Sequence, residues 1–249
     1  MKLYILIPLI LVVILIHCQS SQTIRYSDPE LAEKARFMEH NAYERGQSIW
    51  FDETIGRSGR NCESCHPDGS LTNAETYPRY KHVLKTMATI SMTHNFAVVH
   101  ESLGEPWIIG SDDANAVVLF VKAFANGKQI RMAQPHTIRD EWTSKGKALF
   151  YDSSLSSNRK ICAHCHTSEY KTQAAESFVS LDGIAAIYPR YRSHQNRVII
   201  LEQQINTCIE TQLQQTPLPL DDASMIALVS YITSLSEGKK VAVARFRDE

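Results

Sequence analysis

Two short segments of this 249-residue chain follow one plan, Cys62-Glu63-Ser64-Cys65-His66 and Cys162-Ala163-His164-Cys165-His166. They lie 100 positions apart, and the same spacing relates Gly46, Trp50 and Asp52 to Gly146, Phe150 and Asp152. Further along, Tyr77-Pro78-Arg79-Tyr80 recurs as Tyr188-Pro189-Arg190-Tyr191, now 111 positions on. That register continues through Asn95/Asn206 and Pro106/Pro217 to Gly127/Gly238, so the second copy carries 11 extra residues before its Tyr-Pro-Arg-Tyr. Self-similarity at this period means one structural unit used twice.

Cys-x-x-Cys followed at once by His is the attachment pattern of c-type haem. Two thiols at this spacing reach the two vinyl groups on one haem edge, and the adjacent imidazole lies beneath the iron. The chain is therefore expected to hold two covalently bound haem c groups, through Cys62 and Cys65 and through Cys162 and Cys165, with His66 and His166 as proximal ligands. A four-sulfur zinc site built from both pairs, or disulfides, would use the same cysteines. The histidine after each pair, at the same place in a repeated unit, favours haem.

Each copy reads as mostly helical. A first helix (about 33–51 and 141–151) leads into the cysteine loop, and a middle helix covers about 82–103 and 193–214. After a proline break, a last helix (about 112–126 and 221–236) starts at an Asp-Asp pair and ends at Gly127 or Gly238. Val117, Leu119, Phe120 and Phe124, with Leu228, Tyr231, Ile232 and Leu235, recur at helical spacing and are expected in the core. The fold class implied is all-α, as tandem class I cytochrome c domains of about 100 residues each. The expected organisation is a signal peptide (1–17), a tether (18–32), domain 1 (33–130), a linker (131–140), domain 2 (141–238) and a charged tail (239–249).

The ligand on the far side of each iron is less constrained. In the second copy Leu201, Ile205, Cys208 and Gln212 share one helical stripe, so Cys208 either reaches the iron or packs as a small hydrophobe. The first copy has Ala97 at that position. There His94 replaces the inward Ile205 and is the first candidate; His100 is the second, and Met92 is expected to face solvent.

The N-terminus carries Lys2 and then an apolar run from Leu3 to Ile16, the length of a signal-peptide core and short for a membrane span. Cys18 directly after it suggests lipoprotein processing and an anchor on the periplasmic side of a membrane, although Ile16 and His17 are bulky for a lipobox. The formal net charge of −1 gives no basic excess, and no nucleic-acid partner is expected.

In the second copy, Tyr188-Pro189-Arg190-Tyr191-Arg192, Ile205-Asn206-Thr207-Cys208, Pro217-Leu218-Pro219 and the helix from Leu228 to Gly238 resemble the Cys-ligated haem domain of thiosulfate dehydrogenases. They are equally similar to the C-terminal haem domain of the A subunit of the Sox thiosulfate-oxidising complex. That resemblance implies His/Cys ligation of the second haem, with Cys208 as the centre of sulfur chemistry; Arg192 either serves as a cation for a small sulfur oxyanion or contacts haem propionates or solvent. It also implies redox partner proteins. Domain order follows the Sox subunit, but that subunit's Arg after the cysteine is Ile209 here. The Arg that thiosulfate dehydrogenases place before Ile-Asn is Gln204. Electron transfer alone and electron transfer with thiosulfate or tetrathionate chemistry are both open on these residues.

Overall fold

The computed structural model describes residues 28–133, 135–170 and 179–244. The expected signal peptide, Cys18 and most of the tether lie outside the described residues. No helix among those described is long and apolar enough to cross a membrane.

In chain order the elements are α1 (Pro29–Trp50), β1 (Arg79–Lys81), β2 (Thr86–Ala88), α2 (Ile90–His100), α3 (Asp112–Ala123), α4 (His136–Phe150), α5 (Cys162–His166), β3 (Arg190–Arg192), β4 (Arg197–Ile199), α6 (Leu201–Thr211) and α7 (Ala223–Ser234). The order helix, hairpin, helix, helix thus runs twice, with the short α5 added before the hairpin of the second half. α1 starts inside the expected tether because Asp28 caps it, accepting from the Glu30 N–H at 2.9 Å, and Pro29 fits the first turn.

The fold is mostly helical, but two antiparallel hairpins correct the all-α expectation: Arg79 pairs with Ala88 and Arg190 with Ile199. They take the first turns of the expected middle helices. Residues 86–88 and 197–199 pair as strands instead of starting those helices, and the β-branched Val198, Ile199 and Ile200 suit a strand. Lys85 and Asn196 close the hairpins in left-handed conformation, at φ 54° and 51°. Helix then resumes from extended caps at Thr89 and Ile200.

α1 packs on α3 and α4 on α7, while each hairpin packs on helices of the other half. The crossings are close at Gly46 and Gly146, where an added Cβ would collide with the carbonyl oxygens of Ala116 and Ala227. α3 and α7 are covered on every side: residues 114–121 and 225–233 are buried throughout, beyond the one stripe expected of a surface helix. Leu235, expected in the core, is exposed just past the end of α7.

Two boundaries also shift. α4 begins at His136, within the expected linker, and Met132 before it is buried. Beyond α7, the described part of the expected charged tail runs antiparallel to 127–130, with Val241, Val243 and Ala244 buried. Asn126 holds it there, donating to the Val243 carbonyl at 2.8 Å and accepting its N–H at 3.0 Å.

Candidate functional site

The two Cys-x-x-Cys-His segments line separate cavities, so the cysteine pairs do not converge on one four-sulfur site. The first cavity, about 810 Å³, is lined by Cys62, Cys65 and His66, with His94 from α2. The second, about 870 Å³, is lined by Cys162, Cys165 and His166, with Cys208 from α6.

Each motif is tied to the end of the helix before it. The Cys62 N–H donates to the Trp50 carbonyl at 3.1 Å, and the His66 N–H to that of Cys62 at 3.0 Å. In the second motif a single turn, α5, puts Cys162 and Cys165 three residues apart on one face. The two histidines are held alike. His66 Nδ1 lies 2.9 Å from the Ser70 carbonyl and His166 Nδ1 lies 2.8 Å from that of Val179. A carbonyl only accepts, so the ring proton sits on Nδ1 and Nε2 keeps its lone pair, the form an iron ligand needs. Trp50 and Phe150, equivalent positions of the repeat, place their rings 6.1 Å from His66 and His166.

His94 lines the first cavity, and its Nδ1 is buried without a hydrogen-bond partner. Burial, with the nearby Lys81 charge adding to it, pushes its imidazole down to about 4, so it is neutral at physiological pH. The alternatives are elsewhere. His100 is exposed and stacks on Phe96 at 4.4 Å. Met92, instead of facing solvent, packs against the small cluster of Met87, Met132 and Ile226.

Cys208 sits on the inward stripe of α6 with Leu201, Ile205 and Gln212. Gln204, one turn earlier, donates from Nε2 to the Cys208 sulfur at 3.7 Å and accepts the Tyr188 hydroxyl at 2.9 Å. By resemblance Gln204 stands only where an arginine is usual; its i, i+4 spacing from Cys208 is the sequence signal for this contact. Arg192 pairs with Arg197 across the β3–β4 hairpin and is not among the described residues lining the Cys208 cavity. The Lys or Arg that does line it is Lys160, at an exposed position.

The donor sets fit a covalently bound haem c: two thiols, an imidazole oriented through its Nδ1 by a backbone carbonyl, and a largely apolar wall. Residues 145–241 match the family described as "SoxA/TsdA, cytochrome c domain". The chain is 26% identical to the L-cysteine S-thiosulfotransferase subunit SoxA of Pseudaminobacter salicylatoxidans, over 83% of this chain and 72% of that protein. It is 36% identical to the thiosulfate dehydrogenase of Allochromatium vinosum over 34% of this chain and 32% of that one. The crystal structure of SoxXA from P. pantotrophus shares the fold with a TM-score of 0.72 and 18% identity, covering 85% of this chain and 83% of its own. Residues 145–241, which carry the second Cys-x-x-Cys-His and Cys208, are a haem-c-binding cytochrome c domain of the SoxA/TsdA type, and the chain is a SoxA/TsdA-like cytochrome.

Proposed function

We propose that this protein is an exported di-haem cytochrome of sulfur-compound oxidation, passing single electrons between redox partner proteins on the periplasmic side. The reading gives each half of a tandem duplication one haem, held through Cys62, Cys65 and His66 and through Cys162, Cys165 and His166. His94 and Cys208 are the opposing ligands, and Cys18 is a lipid anchor. Bound in these cavities, haem supplies one-electron redox chemistry. The protein's part is to hold two such groups in apolar surroundings and to set their potentials through unlike ligands.

The observation that carries this reading is Cys208, which lines the same cavity as Cys162, Cys165 and His166. It also favours a second role, since the matched relatives include a thiosulfotransferase subunit and a thiosulfate dehydrogenase. The Cys208 thiolate would form an S–S bond with the outer sulfur of thiosulfate, releasing two electrons to the redox partners. Attack of a second thiosulfate on that sulfur would then free tetrathionate and return the thiolate. The cation placed to receive the anion is Lys160 in preference to Arg192. Association with a second cytochrome subunit, as the name SoxXA implies for the matched structure, fits the same reading.

Low-temperature EPR of the holoprotein and of Cys208→Ala tests it. Loss of a low-spin thiolate signal in the variant is expected, and an unchanged spectrum overturns both the ligand assignment and the sulfur chemistry. Thiosulfate oxidation assayed on the same samples separates the enzyme from the pure carrier.

A further inference from the structure

Between the two cavities lies a third, of about 440 Å³, that touches both. It shares Tyr77 and Ile90 with the first and Tyr188 and Leu201 with the second. These residues are equivalents at the 111-residue spacing, so the middle cavity is walled by matching positions from each half. At two of those positions one half carries an ionisable group that the other lacks, and at a third Thr89 is matched by Ile200. Ser91 is matched by Glu202, and Lys122 by Thr233, and all four line the cavity. The departures put one carboxylate and one ammonium group into the interface between halves, with hydroxyls at the mirror positions.

Both groups are withdrawn from water. Glu202 is 6% exposed, and the Lys122 ammonium donates to the Ala185 carbonyl at 3.0 Å. Burial raises the Glu202 carboxyl above its ordinary value, opposed first by a backbone hydrogen bond, then by Thr89 and last by the Lys122 charge. Burial likewise pushes Lys122 down to about 8, opposed by Glu202. Of the described residues on the wall, the other titratable groups are Tyr77 and Tyr188, and the Tyr188 hydroxyl is bound to Gln204. α2 contributes Ile90 and Ser91, α7 Val229 and Thr233, and the 184–187 turn Ala185, none of them ionisable. Nothing on the wall but this pair can answer a change of charge near neutral pH.

We propose that Lys122 and Glu202 form a proton-exchanging pair between the two haem cavities, taking a proton from water when an electron arrives on either side and releasing it when the electron leaves. The inference rests on the two-haem reading. The electron comes from a one-electron donor protein and reduces one ferric centre. Its negative charge raises the proton affinity of the pair through a medium that screens poorly, so one proton entering offsets one electron. The two residues act through the haems' potentials and do not touch the reacting atoms.

The test is spectroelectrochemistry across the neutral pH range on the holoprotein, Glu202→Gln and Lys122→Met, each with its haem content measured as the pyridine haemochrome. Glu202→Ser and Lys122→Thr, which install the other half's own side chains, stand in where an isostere does not fold. We expect two haems per chain, a midpoint potential that falls as pH rises in the wild type, and loss of most of that slope in either variant. Two haems with the same slope in all proteins, or with no slope in the wild type, overturns the proposal and leaves the di-haem reading standing. One haem per chain overturns the di-haem reading itself, and this inference with it.

Discussion

Gln204 donates to the sulfur of Cys208 across one turn of α6, at 3.7 Å, while its carbonyl oxygen accepts the Tyr188 hydroxyl at 2.9 Å. The glutamine therefore joins the candidate ligand to a buried tyrosine next to the inter-half cavity. Gln204→Leu keeps the side chain's bulk and removes the carbonyl that accepts that hydroxyl, and losing such a buried hydrogen bond costs about 1 kcal/mol. Denaturant unfolding of the holoprotein should show the loss, and Tyr188→Phe in the same background should recover much of it. The low-spin EPR signal should shift with the lost N–H···S contact. A variant as stable as wild type with an unmoved signal would falsify the role given to Gln204.

The helix crossings give a prediction that depends on no cofactor chemistry. At Gly146 a methyl group meets the Ala227 carbonyl oxygen and the Tyr231 side chain, so α4 and α7 must separate to admit it. Overpacking of this kind costs about 1–3 kcal/mol. At about 2–4 °C per kcal/mol for a chain of this size, Gly146→Ala should lower Tm by several degrees. Gly46→Ala should do the same at the crossing of α1 and α3. A Tm within a degree of wild type for both would mean the helices move apart freely.

The repeat aligns Gly46 with Gly146, but nothing in the sequence shows that the two glycines sit at helix crossings. The motif spacing marks out the cysteines and histidines that line the two cavities, and helical spacing marks out the stripe of α6 that carries Cys208. What escaped was tertiary. Nothing local in Tyr-Pro-Arg-Tyr distinguishes a helix start from a hairpin that needs the other half's helices to pack on. The apolar positions of α3 and α7 were read as one stripe, although both helices are buried all round. Arg192 drew attention by charge and motif, yet side-chain placement depends on the hairpin and sets it apart from the residues lining the Cys208 cavity. Gln204 was passed over because the cue was an arginine that this chain lacks.

His94 offers a sharper test of the first cavity than any stability measurement. Its Nδ1 has no hydrogen-bond partner, and its ring is held neutral among apolar side chains. His94→Ala should convert one haem of the holoprotein to a high-spin absorption spectrum, and added imidazole should restore the low-spin form. His100→Ala, whose ring lies against Phe96 at an exposed position, should leave both spectra as they are. Low-spin spectra in His94→Ala without imidazole would remove His94 from the coordination sphere.

Glu39 supplies a pH-dependent prediction away from both cavities. On α1, its Oε1 accepts the backbone N–H of Tyr191 on β3 at 2.8 Å, tying a helix of the first half to the hairpin of the second. Burial raises its carboxyl, and neither the Tyr191 hydrogen bond nor the nearby Arg190 charge brings it back. A carboxyl raised on folding stabilises the protein fully below its unfolded value of about 4.3 and loses that contribution as pH rises through the folded value. Glu39→Gln keeps a carbonyl oxygen for the Tyr191 N–H and removes the titration. The variant should therefore be more stable than wild type at pH 7, with the advantage shrinking as pH falls toward 4. Thermal unfolding across that range decides it: a gap that stays constant with pH, or a less stable variant at pH 7, means that Arg190 requires the charge more than burial opposes it.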